Sequence, residues 1–276
     1  MTNDDSDSAH YALVTVATSP PNAAAMDDDL PEAIPAATLI LMRPAPAGGP
    51  PEILMLERAA TMAFAAGALV FPGGRIDPDD HSTAARFPEL ADAAARIAAI
   101  RETIEETGVA PALRPDPDSA ALREAIAAGR PFAALLDEMG LALDLEALTP
   151  FARWCPNFRE ARRFDTLFYL AEAPGGGHSL HSADETESVH TFWASAAHVL
   201  AEIEAGRAKA IFPTRRNLER LGRFGSLAEA RADAARHPVR QITPWVEERD
   251  GRRFVCIPEG IGYPVTAEPY ESARRR

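Results

Sequence analysis

One short segment limits what this chain can fold into more than any other: Arg101-Glu102-Thr103-Ile104-Glu105-Glu106-Thr107-Gly108. The pattern over 88–107 is helical, and at 100° per residue one face collects three isoleucines: Ile97, Ile100 and Ile104. The opposite face collects three carboxylates: Glu102, Glu105 and Glu106. Gly108 is well placed to end the helix in a left-handed conformation. The sequence therefore predicts a helix that packs through its isoleucines and presents three acidic side chains.

The three carboxylates are unfavourable on a helix that has nothing to neutralise them. Like charges three or four residues apart repel by about 0.2–0.5 kcal/mol per pair, and the last turn of a helix favours cations. Arg101 can pair with Glu105, but one guanidinium does not neutralise three carboxylates. A divalent cation does, and an all-carboxylate face without His or Cys favours Mg²⁺ or Mn²⁺ over zinc. The pattern is typical of phosphoryl transfer to a water molecule that the metal activates.

Three short apolar runs precede this helix and predict strands over 37–42, 53–56 and 68–71. The third run leads into Pro72-Gly73-Gly74. Because neither glycine has a side chain, the backbone carbonyl of Gly73 can approach a metal that the helix holds. Three strands before the first convincing helix indicate a sheet-centred α/β fold.

The rest of the chain continues this mixture of helices and strands. Further strands are predicted over 151–154, 163–170 and 189–193. Helices are predicted over 196–205, 217–224 and 227–236, and 119–139 predicts one or two short helices inserted over the sheet. A hairpin is predicted from 241–248 and 253–257, around Asp250-Gly251.

Charge and cysteine content exclude several classes of function. The net charge of −13 argues against bulk binding of nucleic acid, which requires clustered Lys and Arg. Residues 1–34 contain acidic clusters without any Lys or Arg, and they predict a disordered tail. Cys155 and Cys256 form no zinc motif or disulfide framework, which favours a reducing cytoplasm. The sequence shows no secretion signal and no apolar run long enough to span a membrane.

Seven residues match the Nudix box, G-x5-E-x7-R-E-U-x-E-E-x-G-U, in which U is apolar: Gly74, Arg101, Glu102, Glu105, Glu106, Gly108 and Val109. The chain therefore resembles the Nudix hydrolase superfamily, and the resemblance implies an α/β/α sandwich with a mixed β-sheet. Two features depart from the pattern. Arg101 stands 13 residues later than the pattern places it, and the position of the first Glu holds Ala93, with Asp92 beside it.

The widened box is similar to that of the branch containing peroxisomal coenzyme A diphosphatases, and segments 162–166 and 213–218 share this similarity. The resemblance covers roughly residues 36–225, although 57–67 replaces the usual coenzyme A signature before the box. It implies a three-part organisation: a tail over 1–34, a Nudix domain over 35–212 with insertions at about 77–89 and 110–147, and a C-terminal helical and hairpin extension over 213–276 packed on the domain.

The resemblance also assigns roles to side chains of this sequence. It makes Glu102 and Glu106 metal ligands, Glu105 a ligand or base, and Arg101 the residue that orients them. A second acidic residue outside the box, Glu185 or Glu187, would bind metal or activate water. The substrate-binding group is then formed by four residues: Arg58, Gly74, Arg75 and Arg163.

The implied reaction is metal-dependent hydrolysis of a diphosphate linkage in a small molecule. Coenzyme A or an acyl derivative is the leading substrate, giving adenosine 3′,5′-bisphosphate and a 4′-phosphopantetheine product. ADP-ribose, dinucleotides and oxidised nucleotides are alternatives within the same class. A non-catalytic module that senses a nucleotide is the alternative from another class, and a homodimer stays open. Residues 77–89 and 119–147 are candidates for the wall that selects the substrate.

Overall fold

A computed structural model describes residues 31–58, 67–156, 163–175 and 190–274. The strands within these ranges are β1 Ile34–Arg43, β2 Glu52–Glu57, β3 Leu69–Val70, β4 Gly73–Arg75, β5 Leu113–Arg114, β6 Ala142–Leu143, β7 Thr149–Trp154, β8 Phe164–Glu172, β9 His190–Ser195, β10 Gln241–Ile242, β11 Trp245–Arg249, β12 Arg252–Cys256 and β13 Ala267–Pro269. The helices are α1 Pro78–Ala84, α2 Ala93–Thr107, α3 Ser119–Ala127, α4 Phe132–Glu138, α5 Ala196–Glu204, α6 Phe212–Leu221, α7 Leu227–Arg236 and α8 Tyr270–Arg274. Of the tail predicted over 1–34, residues 1–30 lie outside the described residues, and β1 begins at its last residue, Ile34.

The described residues form a mixed sheet with the order β10-β7-β8-β1-β2-β3, in which β4 also pairs with β1 and β9 with β2. The central pair, β1 and β8, is parallel, whereas β2 and β4 run antiparallel to β1. Helices pack on both faces, because the side chains of a strand alternate between them. Ala37, Leu39 and Leu41 face α2, while Ile40 and Met42 face α5, α6 and α7. The predicted α/β/α sandwich with a mixed sheet is confirmed.

The predicted carboxylate-bearing helix is present as α2. Its three isoleucines are completely buried against the sheet. Gly108 adopts the left-handed conformation at φ 70°, and its N–H donates to the carbonyl of Ile104 at 2.8 Å. The helix begins at Ala93, not near residue 88, because a separate short helix, α1, and a turn occupy the preceding segment.

The segment after α2 forms a helical hairpin, which we call the α3–α4 hairpin. Two short antiparallel strands close its base, with Leu113 opposite Leu143. Apolar side chains of both helices join the core beneath α2: Leu122, Ile126, Phe132, Leu135 and Leu136. The prediction of short helices over 119–139 is confirmed, and there are two of them.

The C-terminal part begins with α6, which starts at Phe212 and not at residue 217 as predicted. Pro213 lies in its first turn, where the missing N–H of proline costs nothing. A buried chain of hydrogen bonds ties this part to the sheet: Trp154 Nε1 donates to the hydroxyl of Tyr263 at 3.1 Å, which donates to Asn217 Oδ1 at 2.7 Å. The C-terminal elements and β7 therefore share one core.

The C-terminal hairpin has its turn where it was predicted, but its first strand begins at Trp245 and not at residue 241. β11 and β12 pair around Asp250-Gly251, where both residues have positive φ, at 50° and 72°. The first two residues of the predicted strand instead form β10, which pairs with β7 in the main sheet. In the described ranges of the chain, no helix is both long and apolar enough to cross a bilayer.

Candidate active site

The Gly73-Gly74 turn lies directly beside the acidic end of α2. β4 begins at Gly73 and pairs antiparallel with β1, which brings Gly74 opposite Ala37. The N–H of Gly73 donates to Glu106 Oε2 at 2.9 Å. Gly74 lies so close to Glu102 that a Cβ atom added to it would be 2.4 Å from the carboxyl carbon. The two parts of the sequence motif therefore meet in space.

Arg101 is buried at the centre of this site. Its Nε and Nη2 donate to the two carboxylate oxygens of Asp80 at 3.0 and 2.9 Å, and Nη2 also donates to the carbonyl of Arg75 at 3.1 Å. Its Nη1 donates to Glu102 Oε1 at 2.9 Å and to Glu105 Oε2 at 3.4 Å. Burial alone would lower the pKa of Arg101, but Asp80 and Glu102 raise it on balance. Arg101 therefore stays charged and links two of the three carboxylates to α1.

Asp80 was missed in the sequence analysis, although its side chain is 0% exposed and holds Arg101 bidentately. It stands six residues after Gly74, which is the spacing of the first Glu in the box pattern when it is counted forward from the glycine. Counting backward from Arg101 pointed to Asp92 instead. Asp92 begins α2 at its other end, pairs with Arg96 at 2.8 Å and accepts from the Tyr169 hydroxyl at 3.0 Å. Asp92 thus anchors the start of the helix and is separated from the three carboxylates by about 15–21 Å along the helix axis.

When all three are ionised, the carboxylates carry more negative charge than Arg101 neutralises. Burial raises the pKa of Glu106 to about 8, although its hydrogen bond from Gly73 opposes the shift. Burial also raises the pKa of Glu102, with Arg101 opposing the shift. Glu105 is more open, with 44% of its side chain exposed. A group of oxygen ligands with this excess charge suits a hard divalent cation.

The present side-chain arrangement does not itself enclose an ion. Across the described residues, no three carboxylate, imidazole or thiol groups converge closely enough to hold a metal. The reason is local, because Glu102 is turned to Arg101 and Glu106 to the N–H of Gly73. The carboxylates fit a divalent metal by their chemistry and by their common position at one end of α2.

We expect Gly74→Ala to weaken Mn²⁺ binding by about 10- to 100-fold, with little loss of stability. The added methyl group would displace the carboxylate of Glu102, which is the far end of a flexible side chain. Calorimetric titration with Mn²⁺ and thermal unfolding test this. Gly73→Ala is the contrasting control, since its Cβ would lie 2.4 Å from the backbone oxygen of Ala37 and should disturb the fold itself. Equal Mn²⁺ affinity in wild type and Gly74→Ala would argue against Glu102 as a ligand.

Three arginines were predicted to bind the substrate, and each of them has different surroundings in the structure. Arg58 follows β2, lies close enough for its charge to act on Glu106, and its buried Nε has no partner within the described part of the chain. Arg75 has 67% of its side chain exposed, and its carbonyl accepts from Arg101. Arg163 precedes β8 and donates to Cys155 Sγ at 3.3 Å. Arg58 therefore lies near Glu106, and the backbone of Arg75 adjoins the site while its guanidinium lies 3.9 Å from Asp77. Within the described residues, Arg163 contacts Cys155 and not the carboxylates.

The predicted acidic residues of the loop before β9, Glu185 and Glu187, lie outside the described residues. The structure therefore neither supports nor opposes their role. The carbonyl of Gly73, predicted to reach a metal, belongs to a residue whose N–H already contacts Glu106.

The sequence matches no family model. Among solved structures, a NUDIX hydrolase from Alicyclobacillus acidocaldarius is 30% identical, with a TM-score of 0.64, and the match covers 73% of this chain and 96% of that one. The NUDIX domain of Shewanella oneidensis NrtR, solved in complex with ADP ribose, is 17% identical over 70% of this chain and 88% of that one, with a TM-score of 0.39. A MutT protein from Methanosarcina mazei Go1 is 16% identical over 69% and 94%, also with a TM-score of 0.39.

Proposed function

Since the chain belongs to the Nudix hydrolase family, we propose that it hydrolyses the diphosphate linkage of coenzyme A or an acyl-coenzyme A with the help of Mg²⁺ or Mn²⁺. The hydrolysis of a diphosphate linkage, in the broad sense of the family, follows from membership. The use of Mg²⁺ or Mn²⁺ and the identity of the substrate are what we propose. The observation that supports a metal is that Glu102 and Glu106 lie together beside the glycine turn, where burial opposes their charged forms and a bound cation would favour them.

The metal would be held by Glu102, Glu105 and Glu106, with the Gly73 carbonyl as a further oxygen ligand. When bound, it neutralises phosphate oxygens and makes a water molecule more acidic. Arg101 keeps Glu102 and Glu105 in place through its contacts with both. We assign the catalytic roles to Glu105, Glu106 and Arg101, and we keep Glu187 as a candidate base from the loop.

The bond changes in this proposal are those of a simple hydrolysis. A water oxygen forms a bond to one phosphorus, and the bond between that phosphorus and the bridging oxygen breaks. Glu105, the most exposed carboxylate of the three, accepts the proton of the water. The bridging oxygen leaves with the bonding electrons as part of the second phosphate. Both products therefore carry a phosphate group.

Substrate phosphates need cationic partners that are free to bind them. Arg58 suits this role because it lies near Glu106 and its Nε has no partner among the described residues. Arg75 suits it because its side chain is largely exposed beside Gly74. Arg163 is included on the basis of the sequence resemblance.

The choice of coenzyme A rests on the widened box and on the likeness of segments 162–166 and 213–218 to the coenzyme A branch. The second segment lies in α6, where Arg216 and Asn217 are buried in the C-terminal core. Its likeness to the branch therefore supports a shared architecture more directly than a shared substrate. A cytoplasmic location and a homodimer stay predictions of the sequence.

The proposed substrate is tested by incubating the purified protein with coenzyme A, acetyl-coenzyme A, ADP-ribose, NADH and a diadenosine polyphosphate, with Mg²⁺, Mn²⁺ or EDTA. Products are identified by mass spectrometry, and Glu105→Gln serves as the inactive control. We expect metal-dependent cleavage of the coenzyme A species only. Cleavage of another compound would reject coenzyme A and keep the reaction. Ligand binding by calorimetry without turnover or metal dependence would instead indicate a sensing module.

A further inference from the structure

The α3–α4 hairpin contacts the scaffold of the carboxylate site at two separate points. The first point is α1, which carries Asp80. The second is the C-terminal end of α2, which carries Glu105. Residues on these two helices form the site together with the Gly73-Gly74 turn, and none of the three carboxylates comes from the hairpin.

At the first point, Asp79 on α1 caps the N-terminus of α4, a helix to which it does not itself belong. The residue before α4 is Pro131, which provides no side-chain cap, and Asp79 Oδ2 accepts from the N–H of Phe132 at 3.2 Å. A carboxylate at the N-terminus of a helix satisfies a free N–H and interacts favourably with the helix dipole. The next residue along α1 is Asp80, which binds Arg101. Two adjacent carboxylates thus join α4 to the arginine of the site.

A second contact fixes the same pair of helices. Arg86, just after α1, forms a bidentate ion pair with Asp137 on α4, with both distances at 2.8 Å. Both side chains are exposed, so the pair adds little free energy of folding. Its two parallel hydrogen bonds nevertheless define the angle between α1 and α4. Asp79 and Arg86 therefore restrain α1 near both of its ends.

At the second point, Arg123 on α3 reaches the last turn of α2. Its Nε donates to the backbone carbonyl of Glu105 at 2.9 Å. Its Cδ lies 3.5 Å from the position that a Cβ on Gly108 would take. The last four carbonyls of a helix lack partners within the helix, and their dipole favours a cation. The guanidinium of Arg123 supplies this cation at the end of α2 that carries the carboxylates.

We propose that the α3–α4 hairpin is a positioning element of the metal site, acting through Asp79 on α1 and through Arg123 on α2. Asp79 and Arg123 are positioning residues, since Asp79 acts through Asp80 and Arg101, and Arg123 through the backbone of Glu105. This inference rests on the proposed metal-dependent function.

The first test compares Asp79→Ala with Asp79→Asn. We expect Asp79→Ala to weaken Mn²⁺ binding about 10-fold and to lower kcat about 10-fold, because the carboxylates would be mispositioned. KM should change little, because the arginines proposed to bind phosphate are not altered. Asn keeps an oxygen acceptor for Phe132 and should restore most of both. Ser226→Ala is the matched control, since it removes a cap from α7, on the other face of the sheet.

The second test compares Arg123→Met with Arg123→Lys. Met keeps an unbranched side chain that ends at the position of Nε and loses the donor to Glu105, and we expect it to weaken Mn²⁺ binding about 10-fold. Lys should restore part of the loss. Arg130→Met is the matched control, because Arg130 lies on the same hairpin and pairs with Glu138, away from α2.

The outcomes separate the inference from the function on which it rests. Wild-type protein that neither binds Mn²⁺ nor cleaves any diphosphate would overturn the proposed function and the inference together. Wild-type protein that binds Mn²⁺ normally, alongside Asp79→Ala and Arg123→Met variants with unchanged affinity and kcat, would overturn the inference alone. A lower melting temperature without these changes would assign the hairpin a purely structural role and would also overturn it.

Discussion

Replacing Glu106 by Gln will abolish hydrolysis and will make the metal-free protein more stable. The carboxylate of Glu106 is mostly buried, and burial raises its pKa to about 8. At neutral pH the folded protein must hold Glu106 largely protonated, which costs free energy because the ordinary pKa of the group is 4.5. Gln keeps an oxygen that can accept from Gly73 N–H and is neutral without that cost, so we expect it to add about 1–3 kcal/mol to the free energy of unfolding at neutral pH. The same change removes a proposed metal ligand, so the rate should fall by about 10³-fold or more.

The measurements are the rate of diphosphate hydrolysis and thermal unfolding with and without Mn²⁺. Metal should raise the melting temperature of the wild type, because it binds only the folded state, and should not raise that of Glu106→Gln. Glu248→Gln, on exposed strand β11, is the control for loss of one negative charge. A Glu106→Gln variant that keeps full activity, or that is less stable than wild type without metal, would contradict this assignment.

Asp233→Leu should be the most destabilising single change in the C-terminal part. Arg220, buried on α6, donates to Asp233 Oδ2 on α7 at 2.9 Å and to the carbonyl of Phe151 on β7 at 3.0 Å. The side chains of Arg220 and Asp233 are only 2% and 3% exposed. Without Asp233, the guanidinium keeps its burial and loses its counter-charge, which costs about 3–5 kcal/mol. At about 2–4 °C per kcal/mol, the melting temperature should fall by roughly 10 °C.

The double variant Arg220→Met with Asp233→Leu identifies the cause. Replacing both partners by apolar groups removes the unpaired charge, so most of the lost stability should return. Arg236→Met is the matched control, because Arg236 approaches the same carboxylate at 3.5 Å but is 65% exposed, and we expect it to cost less than about 1 kcal/mol. A double variant as unstable as Asp233→Leu would instead attribute the loss to packing or to helix α7.

The features that could be predicted from the sequence are those that depend on neighbours in the chain. The isoleucine face of α2 and the left-handed Gly108 follow from helical periodicity and from the conformational freedom of glycine. The turn at Asp250-Gly251 follows from the same kind of local preference. The Gly73-Gly74 turn and the helix carboxylates can be recognised by their spacing in the sequence alone, and the structure brings them into contact.

The features that could not be predicted depend on contacts between distant parts of the chain. In the chain, Asp80 and Arg101 are separated by a turn and the first half of α2. Their contact therefore depends on how α1 packs against α2. Asp79 caps a helix that begins more than 50 residues later. The sequence predicts that Gln241 and Ile242 begin a hairpin strand, but in the structure they pair with β7 in the main sheet. Local patterns contain no information on which of these partners is nearest in space.

The parallel pairing of β1 with β8 has a consequence for how the chain reaches this structure. β1 is the first strand of the sheet, yet its parallel neighbour begins at Phe164, more than a hundred residues after β1 ends. At ordinary rates of translation, the ribosome needs on the order of 10 s to produce that interval. During this time one edge of an apolar strand lacks its partner and can pair with other chains. We expect refolding yield to fall as protein concentration rises, since the sheet is complete only when strands more than a hundred residues apart in the chain have paired.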